Sequence, residues 1–260
     1  MRKFFSTACA LAASLLLASC FELSSVITVN KDGTGIVEES TLVSAQLKAM
    51  MAAGAQGGEG GSGKPEILPS KEKAAEKASK LGEGVTLKSF EEISSPDGRV
   101  GVKAVYAFSD VSKLKYQPGD VKADSTKPGM TFSLKGDTLT VDLPADKPKE
   151  QDPNAPKPEL PKDMEAQMAM MKPMFAGMKF SFALKGANGI ASSDASHVSG
   201  DTVTILEMNF DKLLEKPEGF KKFTEMMDKK DQTPQQAAEA FKGFDGVKIE
   251  GKEKITVKLK

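Results

Sequence analysis

His197 is the chain's one histidine, and its neighbours Ser192, Ser193, Asp194 and Ser196 supply the other residue types of a serine hydrolase triad. In such a triad an imidazole takes the serine proton while a carboxylate holds the ring in the correct tautomer. The stretch lacks the G-x-S-x-G elbow that presents a nucleophilic serine at a strand-to-helix turn, so His197 reads as an exposed loop residue. Carboxylates are numerous, but no spacing singles out an acid and base pair. A hydrolase using two carboxylates alone is the enzyme reading that composition leaves open. Gly58, Gly63 and Lys64 match the glycine and lysine positions of a phosphate-binding loop. Pro65 stands where that loop needs Ser or Thr for magnesium, and a helix-like run precedes it where a strand is required. The expectation is a protein that is not an enzyme and holds no cofactor.

Sulfur and aromatic side chains form the next pattern. Met164, Met168 and Met171 fall at i, i+4 and i+7 and line one helical face. The face reads in three ways. It can pack on a sheet, with Met filling irregular space; it can offer an adaptable surface to a lipid chain or partner; or its thioethers can bind copper(I), although no His or Cys stands nearby in sequence. Phe220, Phe223, Met226 and Met227 cluster similarly on a helix expected over about 218–230. The two groups are candidates for the wall of an apolar pocket.

The N-terminus carries a different chemistry. Arg2 and Lys3 precede an uncharged apolar run, Phe4 to Leu17, that is too short to span a bilayer comfortably. It ends in Leu17-Ala18-Ser19-Cys20, which resembles the lipobox of bacterial lipoproteins. The resemblance implies cleavage between Ser19 and Cys20, a diacylglycerol on the Cys20 thiol and acylation of the new amine. Two or three acyl chains, at about 0.8 kcal/mol per buried methylene, hold a protein on its membrane almost permanently. Phe21 is not the Asp that signals inner-membrane retention in enteric bacteria, which favours the outer membrane where one exists. Cys9 lies in the segment removed, so no intramolecular disulfide can form in the mature chain. The 36 basic and 36 acidic residues balance, and loss of Arg2 and Lys3 leaves a charge near minus two, so bulk charge recruits no nucleic acid.

These groups must be positioned by strand pairs and helices. Val26–Val29 and Ile36–Leu42 bracket Asp32-Gly33; Val85–Ile93 and Val100–Phe108 bracket Pro96-Asp97-Gly98; Met130–Leu134 and Thr138–Leu143 bracket Gly136-Asp137. Each reads as a hairpin. Val247–Glu250 and Ile255–Leu259 read as a closing hairpin, and Met178–Leu184 and Thr202–Leu206 as further strands. Helices are expected over 43–53, over 70–81 with Ser70 as cap, and over 218–230 and 234–242. A Gly-rich stretch (54–64) and a Pro-rich one (144–162) read as loops.

The lipobox followed by Val26-Ile27-Thr28-Val29-Asn30-Lys31-Asp32-Gly33-Thr34-Gly35, and later Phe180-Ser181-Phe182 leading through Asn188-Gly189 to Ser199-Gly200-Asp201-Thr202-Val203-Thr204, is similar to the LppM-type bacterial lipoproteins. Ile205 stands where members often carry Trp. The resemblance implies a β-rich domain with helix and binding of a lipid or glycolipid. The expectation overall is a signal peptide over residues 1–19 and one extracytoplasmic α+β domain over 20–260, an antiparallel sheet with several helices packed on it. Its function would be binding a lipid or other apolar ligand, or else structural assembly through an envelope protein partner.

Overall fold

The computed structural model describes residues 21–45, 47–49, 68–117, 129–143, 175–228 and 233–260. The three turn-centred hairpins form as expected. β1 (Phe21–Val29) pairs with β2 (Gly35–Val43), β3 (Thr86–Ser94) with β4 (Val100–Phe108), and, after the short β5 (Lys115–Tyr116), β6 (Met130–Lys135) with β7 (Thr138–Asp142). The first turn is closed by Asp32, whose Oδ1 accepts from the Thr34 amide at 2.9 Å and its hydroxyl at 2.7 Å. Gly33 there adopts φ 84°, a left-handed conformation that costs glycine nothing.

The α+β expectation is overturned: the protein is mostly β, built on two sheets with few and short helices. The remaining strands are β8 (Lys179–Gly186), β9 (Ile190–Ser193), β10 (Val198–Ser199), β11 (Thr202–Asn209), β12 (Val247–Ile249) and β13 (Lys254–Leu259). The first sheet runs β10-β11-β8-β1-β2-β4-β3, with β12 also on β11; the second runs β5-β6-β7-β13-β9. The reason lies in the alternation. Phe132, Leu139, Val141, Ile255, Val257 and Leu259 give the second sheet an apolar face of its own, and two one-faced sheets bury one another. These residues join Ile27, Val29, Val37, Tyr106, Phe108 and Leu184 of the first sheet in one core. Each such side chain, fully buried, contributes about 1.5–3 kcal/mol.

Two further expectations fail. The first sheet is not purely antiparallel, because β1 pairs with β8 in parallel, Leu23 opposite Phe180 and Ile27 opposite Leu184. The closing hairpin does not form either. β12 joins β11 in the first sheet while β13 lies between β7 and β9 in the second. Glu250, 2 % exposed at the crossing, fixes the separation. Its carboxylate accepts from the Ser196 amide (2.6 Å) and hydroxyl (2.8 Å) and the Lys252 amide (3.1 Å).

Among the described residues, a short 3₁₀ helix (Val111–Lys113) and four bounded α-helices join these strands. α1 (Lys71–Leu81), capped by the Ser70 side chain, contributes Ala74, Ala78 and Leu81 to the main core. α2 (Phe210–Leu213), α3 (Pro217–Asp228) and α4 (Pro234–Ala240) gather around a second apolar cluster. Thr233 and Gln236 form a capping box at the start of α4.

Candidate functional site

Strand direction sets which parts of the chain meet at each end of the first sheet. Ser94, Val100, Val43 and Phe21 stand opposite one another in turn, and in the next row Glu22 meets Lys179, which meets Asn209. The starts of β1 and β8 therefore share an end with α2, which Asn209 caps through the Lys212 amide.

At that end the second cluster is rich in phenylalanine. Phe21 and Phe180 have ring centroids 5.9 Å apart, Phe180 and Phe210 5.8 Å, and Phe210 and Phe223 5.0 Å in an edge-on contact. Phe175 stacks on Phe210 at 5.3 Å. Such pairs add about 0.5–1.5 kcal/mol each beyond area burial. A continuous line of rings thus runs from the first residue of β1 into α3. Phe220 and Phe223 are 2 % and 6 % exposed and belong to this packed cluster, with Met226 partly buried against it. The Met227 side chain, Met164, Met168, Met171 and Cys20 lie outside the described residues. Beside the cluster, a depression of about 210 Å³ is lined by Lys212, Glu215, Lys216, Glu218, Asp245, Leu213, Gly243 and Phe244. It is smaller than the roughly 300 Å³ at which drug-sized ligand sites begin, and its charged rim does not suit an acyl chain.

The hydrolase constellation does not assemble. The Ser196 hydroxyl bonds Glu250, while His197 Nε2 lies 3.3 Å from the Ile249 carbonyl oxygen. Asp194 accepts from the Thr256 amide at 2.7 Å, and the Ser193 hydroxyl donates to the Thr256 carbonyl at 2.8 Å. Ser193, Asp194, Ser196 and His197 are each bonded to backbone or to Glu250, so these groups hold the β9–β10 connection to β12 and β13. Among the described residues no three of His, Cys, Asp and Glu gather into a metal site, and no helix is long and apolar enough to cross a membrane.

Two titratable clusters were not foreseen. Between the sheets, Glu39 accepts from the Tyr116 hydroxyl at 2.8 Å and from Lys77 of α1 at 2.7 Å. Burial, with Glu39 beside it, holds the Tyr116 phenol well above its usual range. Burial pushes Tyr106 up as well, again with a contribution from Glu39. Their signal in sequence was the parity of Glu39 with Val37 and Thr41 in an otherwise inward-facing row. At the Phe21 end, the nearly buried Arg99 pairs with Glu22 at 2.6 Å and Asp97 at 2.9 Å. The Ser95 hydroxyl, then Arg99, lowers Asp97 to about 2.

The opposite face of the first sheet carries Val26, Ile36, Val105 and Ala183, with Ser24, Ser40 and Ser181 in the adjoining row toward the Phe21 end. None of these apolar residues belongs to either core. An ion pair, Lys103 to Glu38 at 2.7 Å, stands on the same face and raises the lysine.

No protein family matches the chain, and no curated protein matches it. Among solved structures it is similar to the folded domain of the Mycobacterium tuberculosis LppM protein, determined by NMR. The identity is 9 %, the match covers 73 % of this chain and 82 % of that one, and the TM-score is 0.35. A superposition that loose does not carry a function from one chain to the other.

Proposed function

We propose that this chain is a lipid-anchored lipoprotein of the bacterial envelope that works by contact rather than catalysis, as a structural or assembly component. The anchor reading rests on Leu17-Ala18-Ser19-Cys20 behind a charged and then apolar leader. The observation that carries the choice between carrier and assembly component is the burial of Phe220 and Phe223, 2 % and 6 % exposed in a cluster filled by its own rings. A lipid carrier needs those side chains around a cavity. The face of Val26, Ile36, Val105 and Ala183, covered by neither core, is where an assembly component offers surface to a protein partner.

Native mass spectrometry of the chain purified from membranes tests this. The expected mass is that of the chain from Cys20 with its covalent acyl groups and nothing further. A second, non-covalent lipid held one to one would overturn the assembly reading in favour of a carrier, and an unacylated Cys20 would remove the anchor.

A further inference from the structure

The anchor reading has a geometric consequence that the fold makes specific. Cys20 and Phe21 are joined by one peptide unit, about 3.8 Å between Cα atoms, and Phe21 is already the first residue of β1. No spacer separates a lipid on Cys20 from the sheet. The end of the domain that holds Phe21 also holds α2, α3 and the segment after α4, joined to it through the Phe180, Phe210 and Phe223 rings. That end presents the exposed Lys179, Lys212 and Lys216, which make no ion pair among the described residues. Exposed Glu215 and Glu218 stand among them, so the surface carries both signs, as a layer of zwitterionic headgroups does.

Resting on the anchor reading, we propose that the α2–α3 cap lies flat against the headgroups of the membrane that holds Cys20, with Lys179, Lys212 and Lys216 on lipid phosphates. The acyl chains supply the attachment. The lysines choose the pose, because a tethered domain meets its own membrane at high effective concentration and weak contacts then suffice. The turn at Asn30–Thr34 and the Gly200-Asp201 turn, at the other end of the strands, point away from the bilayer.

The chain contains no Trp, so one introduced indole reports its position without background. The lipidated full chain is reconstituted in phosphatidylethanolamine and phosphatidylglycerol vesicles containing a headgroup spin-labelled phosphatidylcholine. Phe244→Trp and Met226→Trp sample the cap. Val198→Trp, whose neighbour Val203 pairs with Leu184 opposite Ile27, samples a point about 20 Å further along the strands. The spin label is expected to quench both cap variants strongly and Val198→Trp almost not at all. Reversing Lys179, Lys212 and Lys216 to Glu should shrink that contrast while leaving the circular dichroism spectrum unchanged. Lipid on Cys20 with equal quenching at all three positions, or with more at Val198, overturns the face alone. A Cys20 found without lipid in a chain that does not join vesicles overturns the anchor and the face together.

Discussion

Tyr106 and Tyr116 are the only tyrosines in a chain without Trp, and both are buried, at 1 % and 0 % exposure. Alkaline pH is therefore a perturbation with a direct optical readout. The fold keeps both phenols protonated well past their ordinary value of 10.0, whereas an unfolded chain releases both protons near pH 10. A raised value of this kind leaves stability at its full level below pH 10 and removes it as pH climbs. For a phenol that stays protonated in the fold, linkage to an unfolded value of about 10 sets a ceiling of roughly 1 kcal/mol per tyrosine at pH 11 and roughly 3 kcal/mol at pH 12. For the pair the ceiling is roughly 5–6 kcal/mol at pH 12, comparable with the roughly 5–15 kcal/mol that holds a domain together. Tyrosinate absorbance near 295 nm and far-ultraviolet circular dichroism, followed together, should stay flat through pH 10 and then change in a single step. Tyr106→Phe should halve the tyrosine share of the pH slope and move the step upward. Absorbance that rises around pH 10 while circular dichroism remains native would refute the burial of these phenols and, with it, the Glu39–Tyr116 arrangement.

Phe223→Ala empties part of the second cluster and should cost about 3–5 kcal/mol in denaturant unfolding, while Val198→Ala on the exposed β10 stays within about 0.5 kcal/mol. Glu250→Ala leaves the Ser196 amide and hydroxyl without their buried acceptor, for a loss of about 2 kcal/mol in the same assay; an unchanged midpoint would mean that another group holds the crossing from β12 to β13. Asp97, lowered to about 2 from an ordinary 3.8, contributes stability above pH 4 that disappears as pH falls toward 2. The effect is small because the side chain is nearly half exposed, and Asp97→Asn should flatten that part of an acid titration followed by thermal melting.

What could be read from the sequence was local. Asp32-Gly33, Pro96-Asp97-Gly98 and Gly136-Asp137 each place a residue that tolerates positive φ between alternating runs, and each hairpin forms. The parallel pairing of β1 with β8 has no local sign. Its Ser24–Ser181 contact joins residues 157 apart, and only the burial of both partners selects it. The first five residues of β1, Phe21-Glu22-Leu23-Ser24-Ser25, are polar enough to pass for a lead-in. They become strand because β2 and β8 supply partners on both sides. Gly251-Lys252 looks like a turn between two good strands, and the turn reading fails because the buried Glu250 carboxylate directs the chain to a second sheet. The Phe220 and Phe223 stripe was visible as an amphipathic face. Its coverage was not, since Phe175, Phe180, Phe210 and Phe241 come from segments scattered along 67 positions of chain and meet only in the fold.

β1 is an interior strand, bordered along its length by β2 on one side and β8 on the other. A pull on Phe21 along the strand axis therefore loads two ladders of backbone hydrogen bonds in shear, and the bonds of each ladder must yield together rather than open one at a time. On the proposed anchor at Cys20, any traction on the lipid would reach the domain through this strand. Phe21 is thus the part of the domain best placed to bear mechanical load, and an edge strand there would unzip at far lower force in a single-molecule pulling experiment.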